Sequence, residues 1–302
     1  MELSIIIVSY NVKDLLIDCI ESINRFFEDI SYEIIVVDNN SDDGTIDDVC
    51  LRFPQVVFIQ NRHNTGFSAA NNQGIKISKG DFILLLNPDT YFIDNSVKRM
   101  LDYIKSQGDN VIMSPRLLNA DRSLQVSAWK DKTILVMTME LIRIFIDRYQ
   151  LRSFTTPMQI DNVAGAAMLF PKTVVNNIGF LDDDIFWMED FDFCYRLRKG
   201  GGKVMYFPGA SIVHYGGGST DRNLNIAYAN ANISKLKFYK KNFSFVSALL
   251  ASLVILAHIL SRLFFFMLLS PFHSMFRKWV KAYIYTIKKY FRFIFLDDGA
   301  LV

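Results

Sequence analysis

Leu3-Ser4-Ile5-Ile6-Ile7-Val8 is almost continuously apolar, and three further short runs share that character: Ile34 to Val37, Val56 to Ile59 and Phe82 to Leu86. Strands covered on both faces of a parallel sheet read this way, because neither side can be given to polar residues. Between the first two runs, Val12, Leu15, Leu16, Cys19, Ile20, Ile23 and Phe27 recur at helical spacing and mark an amphipathic helix. The resulting βαβαβ alternation predicts an α/β fold, a mostly parallel twisted sheet with flanking helices, whose ligands sit at the carboxyl ends of the strands.

Outward from this core, Asp94 ahead of Val97, Met100, Leu101 and Ile104, with Gly108 behind them, predicts an N-capped helix closed by a glycine. Trp129 to Tyr149 reads as a helix at an acceptor-facing surface, while the rest of residues 110 to 170 gives no assignment. Glu189-Asp190-Phe191-Asp192 starts a helix that ends at Gly200-Gly201-Gly202.

The 302 residues carry 33 Lys+Arg and 31 Asp+Glu, a near balance that conceals an asymmetry. Residues 231–302 hold 11 basic and 2 acidic residues, a charge of +9, which leaves −7 for residues 1–230. The boundary predicts a catalytic body over 1–230, with a donor half to about residue 90 and an acceptor half beyond it, and a helical region over 231–302. The tail also contains 16 of the 42 aromatic residues, a mixture that suits an anionic membrane surface better than nucleic acid. Cys19, Cys50 and Cys194 show neither zinc-ligand spacing nor a disulfide framework. The N-terminal apolar run is too short for a secretory signal, so the body is expected at the cytoplasmic face of a membrane.

Four sites could carry chemistry. Asp38 ends the second apolar run and is followed by Asn39-Asn40-Ser41; it suits a base or ribose, or else a solvated turn. Asp89, in Asn87-Pro88-Asp89, follows the fourth run and suits a divalent cation that shares substrate phosphates, or again a turn. Glu189 and Asp190 lie among Phe186, Trp187, Met188, Phe191 and Phe193, an apolar wall that favours a general base; the alternative is a pair of acids complementing a helix dipole. His214, before Tyr215 and Gly216-Gly217-Gly218, is either a metal ligand beside a flexible loop or a structural histidine.

Together these segments resemble the family 2 glycosyltransferases, and most closely their bacterial rhamnosyltransferase-like branch. The resemblance spans roughly residues 3–220. It rests on Ser4 to Asn11, Val37 to Ser41, Asn64-Thr65-Gly66-Phe67 with Asn71, Asn72 and Gly74, Leu86 to Thr90, Gly165 to Leu169, Glu189 to Asp192 with Arg196, and His214 to Ser219. It implies a GT-A fold and an inverting transfer from a nucleotide-diphosphate sugar, such as dTDP-rhamnose or a UDP-sugar, to a glycan or lipid-linked acceptor. By position, Ser9, Tyr10, Asn11, Asp38, Asn40, Asn64, Gly66, Asn71 and Asn87 would bind the donor, and Asp89 and His214 would hold Mn²⁺ or Mg²⁺. Asp190 would be the base, with Glu189 as its rival. Asn87 stands where the family's metal motif often has a first aspartate, so Asp89 alone supplies charge there. A nucleotidyltransferase would need a glycine-rich phosphate loop after the first strand, and Ser9 to Asp14 contains no glycine. A non-catalytic sugar-nucleotide binder would be expected to lack Asp89, Asp190 or His214, and all three are present.

In the tail, Phe243 to Ser261 has no charged residue over 19 positions, enough to cross a bilayer by length. Basic clusters on both sides oppose a single span, and the interval is too short for two, so a re-entrant or in-plane arrangement is expected. Beyond Pro271, the face Phe276, Trp279, Val280, Tyr283, Ile284, Ile287, Phe291, Ile294 predicts an interfacial helix, with an oligomerisation or core helix as the alternative.

Overall fold

The computed structural model describes residues 1–141, 148–149, 151–216 and 224–296. The chain divides into two compact units, Met1–Lys130 with Arg148–Asp183 and Glu189–Ser219, and Asp131–Asp147 with Asp184–Met188 and Thr220–Val302. The second unit thus begins at Thr220 and borrows two short segments from within the body.

The first unit opens with β1 (Leu3–Ser9), α1 (Lys13–Phe26), β2 (Tyr32–Asp38), α2 (Thr45–Arg52), β3 (Val57–Gln60), α3 (Phe67–Ile77) and β4 (Phe82–Leu86). It continues through β5 (Thr90–Phe92), α4 (Ser96–Lys105), β6 (Val111–Leu118), β7 (Ala128–Trp129), β8 (Met158–Ile160), β9 (Asn162–Val163) and β10 (Ala167–Pro171). α6 (Thr173–Ile178), α7 (Glu189–Lys199) and β11 (Lys203–His214) complete it; α5 (Ile134–Leu141) belongs to the second unit.

Among the described residues the main sheet runs β3-β2-β1-β4-β10-β6-β11-β5, with β8 also on β11, and β7 pairs separately with β9. The β3-β2-β1-β4 half is parallel throughout, as the apolar runs predict. β10 then enters antiparallel between β4 and β6. Alternation along β1 shows why its sequence is apolar on both sides: Ile5 and Ile7 join α1 and α4 in one core, while Ile6 and Val8 join α3, α6 and α7 in the other. At the sheet edge β3 is covered less completely, and Val57 is exposed despite its apolar run. α3 lies so close to β1 that a Cβ on Gly74 would fall 2.5 Å from Ile6 Cγ2, so only glycine fits without displacing the helix.

Two local details differ from expectation. The N-cap of α4 is Asn95, and Asp94 instead accepts from Ser96 N at 2.8 Å, satisfying the same end of the helix from one residue earlier. Only Ile134–Leu141 of the predicted 129–149 stretch is described as a helix, because Ala128–Trp129 is drawn into pairing with β9, and residues 142–147 lie outside the described residues.

The second unit contains α5 (Ile134–Leu141), α8 (Leu224–Asn242), α9 (Phe245–Leu269) and α10 (Ser274–Leu296). Its helices pack through aromatic rings: Tyr228 meets Tyr283 at 4.7 Å between ring centres, and Phe266 stacks on Trp279 at 5.7 Å. Tyr290 is fully buried, with its hydroxyl 2.9 Å from the Ser252 carbonyl. The buried face of α10 is therefore Ala282, Tyr283, Thr286, Tyr290 and Phe293, and the predicted interfacial face is split: Tyr283 packs inward while Ile284 and Phe291 are exposed. A helix wheel cannot distinguish lipid from a neighbouring helix, and α8 and α9 claim that side.

Candidate active site

Register brings the candidate residues to one edge of the sheet. Ser9 pairs with Asp38 and Ile7 with Leu86, so β1, β2 and β4 end side by side. β10 starts at Ala167 opposite Leu86, and Asn87 N donates to Ala166 O at 2.9 Å, placing Gly165 beside the Asn87 turn. β11 reaches the same edge through His214, which pairs with Thr90. This is the carboxyl edge at which open α/β sheets bind ligands.

Asp38 is fully buried there. Its carboxylate accepts from Ser41 N at 2.9 Å and Ser41 Oγ at 2.6 Å, and Ser41 Oγ in turn accepts from Asn11 N at 2.9 Å. Asn11, at φ +54°, accepts from Asp42 N at 2.8 Å, so two loops hold the carboxylate between them. Ser9 Oγ is buried beside it with no hydrogen-bond partner among the described residues. Tyr10 and Asn40 are exposed.

The sequence reading passed over Asn39. Its buried amide accepts from Asn61 Nδ2 at 2.9 Å and Thr65 Oγ1 at 3.0 Å and donates to Gly66 O at 3.2 Å, fastening the β3–α3 loop to the end of β2. Asn64 accepts from Gly66 N at 2.9 Å, and Gly66, at φ +86°, turns the chain into α3. Asn71 donates back to Phe67 O at 2.9 Å, and Asn72 bonds both the carbonyl and the amide of Leu181. These last two amides serve helix and loop packing.

Asp89 and His214, 125 positions apart in sequence, meet with Asp89 Oδ1 3.3 Å from His214 Nε2. Asn87 Nδ2 approaches the same nitrogen at 3.4 Å, and Tyr215 N donates to Asp89 O at 2.9 Å. The other ring nitrogen, Nδ1, lies 2.8 Å from Gln125 Oε1, a partner absent from the sequence reading. Gly217, Gly218 and Ser219 lie outside the described residues.

Asp190 occupies the first turn of α7, immediately after Glu189. Its oxygens accept from Gly165 N at 3.1 Å and from Phe191 N at 2.8 Å, and the Phe191 ring lies 5.8 Å from Trp129. Burial pushes the Asp190 carboxyl up to about 6, against the opposing pull of those backbone donors. Asp192 is different: it is fully buried and paired to Arg196 Nε at 2.7 Å, while Arg196 also donates to the Ile178 and Phe180 carbonyls. That pair ties α7 to the loop after α6.

A parallel βαβ half with acids at its strand ends, continued by an antiparallel strand ahead of which Gly165 receives the carboxylate of Asp190 from α7, is the GT-A architecture of sugar-nucleotide enzymes. Residues 4–179 match the family model described as glycosyl transferase family 2, and the chain belongs to that family and is a glycosyltransferase. The match ends before α7 and β11, so Asp190 and His214 lie beyond it. The chain is similar to the poly(ribitol-phosphate) beta-glucosyltransferase of Bacillus spizizenii, with 32% identity over 227 residues, 69% of this chain and 34% of that protein. It is also similar to the N-acetylglucosaminyl-diphospho-decaprenol L-rhamnosyltransferase of Mycobacterium tuberculosis, with 24% identity across 63% of this chain and 68% of that one. Among solved structures it resembles GalNAc-T7 with UDP, GalNAc and Mn²⁺, at a TM-score of 0.59 and 16% identity over 79% of this chain and 50% of that one, a likeness of fold.

Proposed function

We propose that the chain is an inverting, cation-dependent glycosyltransferase that moves a sugar from a nucleoside-diphosphate sugar to a glycan or lipid-linked acceptor at the cytoplasmic face of a membrane. The observation that carries this reading is the meeting of Asp89 and His214 at the strand edge that also holds Asp38. Two ligands on adjacent corners of a six-coordinate Mg²⁺ lie ~3.0 Å apart, close to the 3.3 Å between Asp89 Oδ1 and His214 Nε2. One carboxylate and one imidazole therefore fit Mn²⁺ or Mg²⁺ whose remaining positions go to diphosphate and water. Among the described residues no group of three or more His, Cys, Asp or Glu could hold a metal alone, which suits an ion that arrives with its donor.

When bound, the ion supplies positive charge to the departing diphosphate. Asp89 and His214 fix where that diphosphate sits. Asp38 and the unpartnered Ser9 hydroxyl offer an acceptor and a donor to base or ribose. Asp190 takes the proton of the acceptor hydroxyl as its oxygen bonds to the anomeric carbon and the bond from that carbon to the diphosphate breaks. The rhamnosyltransferase relative supports a deoxysugar donor such as dTDP-rhamnose, and the glucosyltransferase relative supports a glucosyl donor of the UDP-sugar class. A thermal-shift screen of nucleoside-diphosphate sugars with and without Mn²⁺ tests the reading. The matching donor at 100 times its Kd should stabilise the protein by about 2.7 kcal/mol in the presence of the ion. A panel in which Mn²⁺ alters no donor's effect contradicts it.

Membrane attachment is carried by α9, whose 25 residues have a mean hydropathy of 2.2 over their most apolar window. Ala248, Ala251, Ile255 and Ile259 face inward, while Phe245, Val246, Leu249, Leu253, Leu260 and Phe264 are exposed. Phe272 and Met275 continue that apolar surface beyond the helix, and exposed Arg277, Lys278, Lys281 and Lys288 follow on α10. An apolar stripe with a basic border suits shallow insertion into an anionic leaflet. Replacing Phe245, Leu249, Leu253 and Phe264 by Ser should abolish flotation with anionic vesicles at any salt concentration. Changing the four basic residues to Gln should weaken it by about 1 kcal/mol each and reduce its salt sensitivity. Unchanged flotation in both variants, or a stable oligomer that never floats, contradicts the assignment; the latter would give the stripe to a second copy of the chain.

A further inference from the structure

Gln125 is held where it can choose the tautomer of His214. It stands on a short hairpin that extends β6: Leu118 bridges Leu124, Asn119 N donates to Ser123 O at 2.8 Å and Gln125 N donates to Leu117 O at 2.9 Å. β11 runs parallel to β6 with Val213 opposite Leu118, so the next residue, His214, lies against the base of this hairpin. One end of the Gln125 amide is 3.2 Å from the His214 backbone carbonyl and 3.0 Å from Asn119 Oδ1; the other is 2.8 Å from His214 Nδ1.

The amide orientation follows from chemistry. A backbone carbonyl can only accept, so the end facing it is the NH₂ group and the end facing the ring is the oxygen. An oxygen 2.8 Å from Nδ1 requires a proton on Nδ1. In the neutral ring the lone pair then lies on Nε2, the nitrogen that Asn87 Nδ2 and Asp89 Oδ1 approach. Nε2 and the carboxylate oxygen, 3.3 Å apart, share a proton when the ring is charged; in the neutral ring both are acceptors and a metal cation fits between them.

We propose that Gln125 is a positioning residue: by accepting from Nδ1 it locks His214 in the Nδ1–H tautomer and reserves Nε2 for the cation. The proposal rests on the cation-dependent reading above. It predicts more than a packing role, since the ring tautomer itself depends on the acceptor at the Oε1 position.

Imidazole ¹⁵N NMR of the full chain without metal, at a pH where the ring is neutral, reads the tautomer directly, with the His214 signals assigned by their loss in His214→Ala. The wild type should show Nδ1–H. Gln125→Leu should shift His214 to Nε2–H, the form neutral imidazoles favour in water, and should weaken Mn²⁺ binding, measured by EPR in the presence of UDP or dTDP, by ~10–100-fold. Gln125→Met, of similar length, replaces the leucine variant should that one fail to fold. An unchanged tautomer in the Leu or Met variant overturns the proposal. A tautomer that depends on Gln125 in a wild-type protein that binds Mn²⁺ neither alone nor together with UDP or dTDP upholds the lock and overturns the cation reading instead.

Discussion

Asp190→Asn is expected to lower turnover at neutral pH by ~10²–10⁴-fold while leaving donor binding little changed. The substitution keeps the shape and one acceptor for the Gly165 and Phe191 amides but cannot take a proton. The pH dependence gives an independent check. Burial raises the carboxyl to about 6, so below that pH the base already carries its proton and above it the base is free. Wild-type kcat/KM should therefore rise tenfold per pH unit up to about pH 6 and level off above it, and the residual activity of Asp190→Asn should lack that limb. Should Glu189→Gln be crippled and Asp190→Asn near normal, the roles of the adjacent acids are exchanged.

Asp89→Ala should reduce transfer at fixed Mn²⁺ by at least ~10²-fold, because stabilisation of a leaving diphosphate by a metal contributes several kcal/mol and each 1.36 kcal/mol is a factor of ten. Asp89 is the only carboxylate in the Asn87-Pro88-Asp89 turn, so no neighbour there replaces its charge. The backbone of the turn is held independently by Asn87 N to Ala166 O and Tyr215 N to Asp89 O, so the variant should fold normally by circular dichroism. A variant that transfers sugar at the wild-type rate in the presence of chelator would remove the cation from the account.

The parallel half of the fold was legible because burial on both faces writes itself into sequence as unbroken apolar runs, as Ile5, Ile6 and Ile7 show. The antiparallel entry of β10 was not: five residues, Ala167 to Pro171, carry no period that separates a strand from a buried helical turn. The face of α10 was legible only in part for a related reason, since Tyr283 suits an interface with lipid or with α8 and α9 equally well until a partner is placed beside it. In the site, acids at strand ends were visible because their chemistry is intrinsic. Two amides were not. Asn39 and Gln125 acquire their roles only from what they face, Asn61, Thr65 and Gly66 for the one, the His214 ring and carbonyl for the other.

The central claim is that donor diphosphate and the pair Asp89–His214 share one cation at the carboxyl edge of the sheet. Pulsed EPR of Mn²⁺ bound to the protein together with the donor identified by thermal shift tests it most directly. The account predicts ³¹P couplings from the diphosphate and a single-imidazole ¹⁴N coupling on the same ion, with the ¹⁴N signal lost in His214→Ala. A ³¹P coupling with no ¹⁴N partner in the wild type, or a ¹⁴N signal that survives His214→Ala, would contradict it.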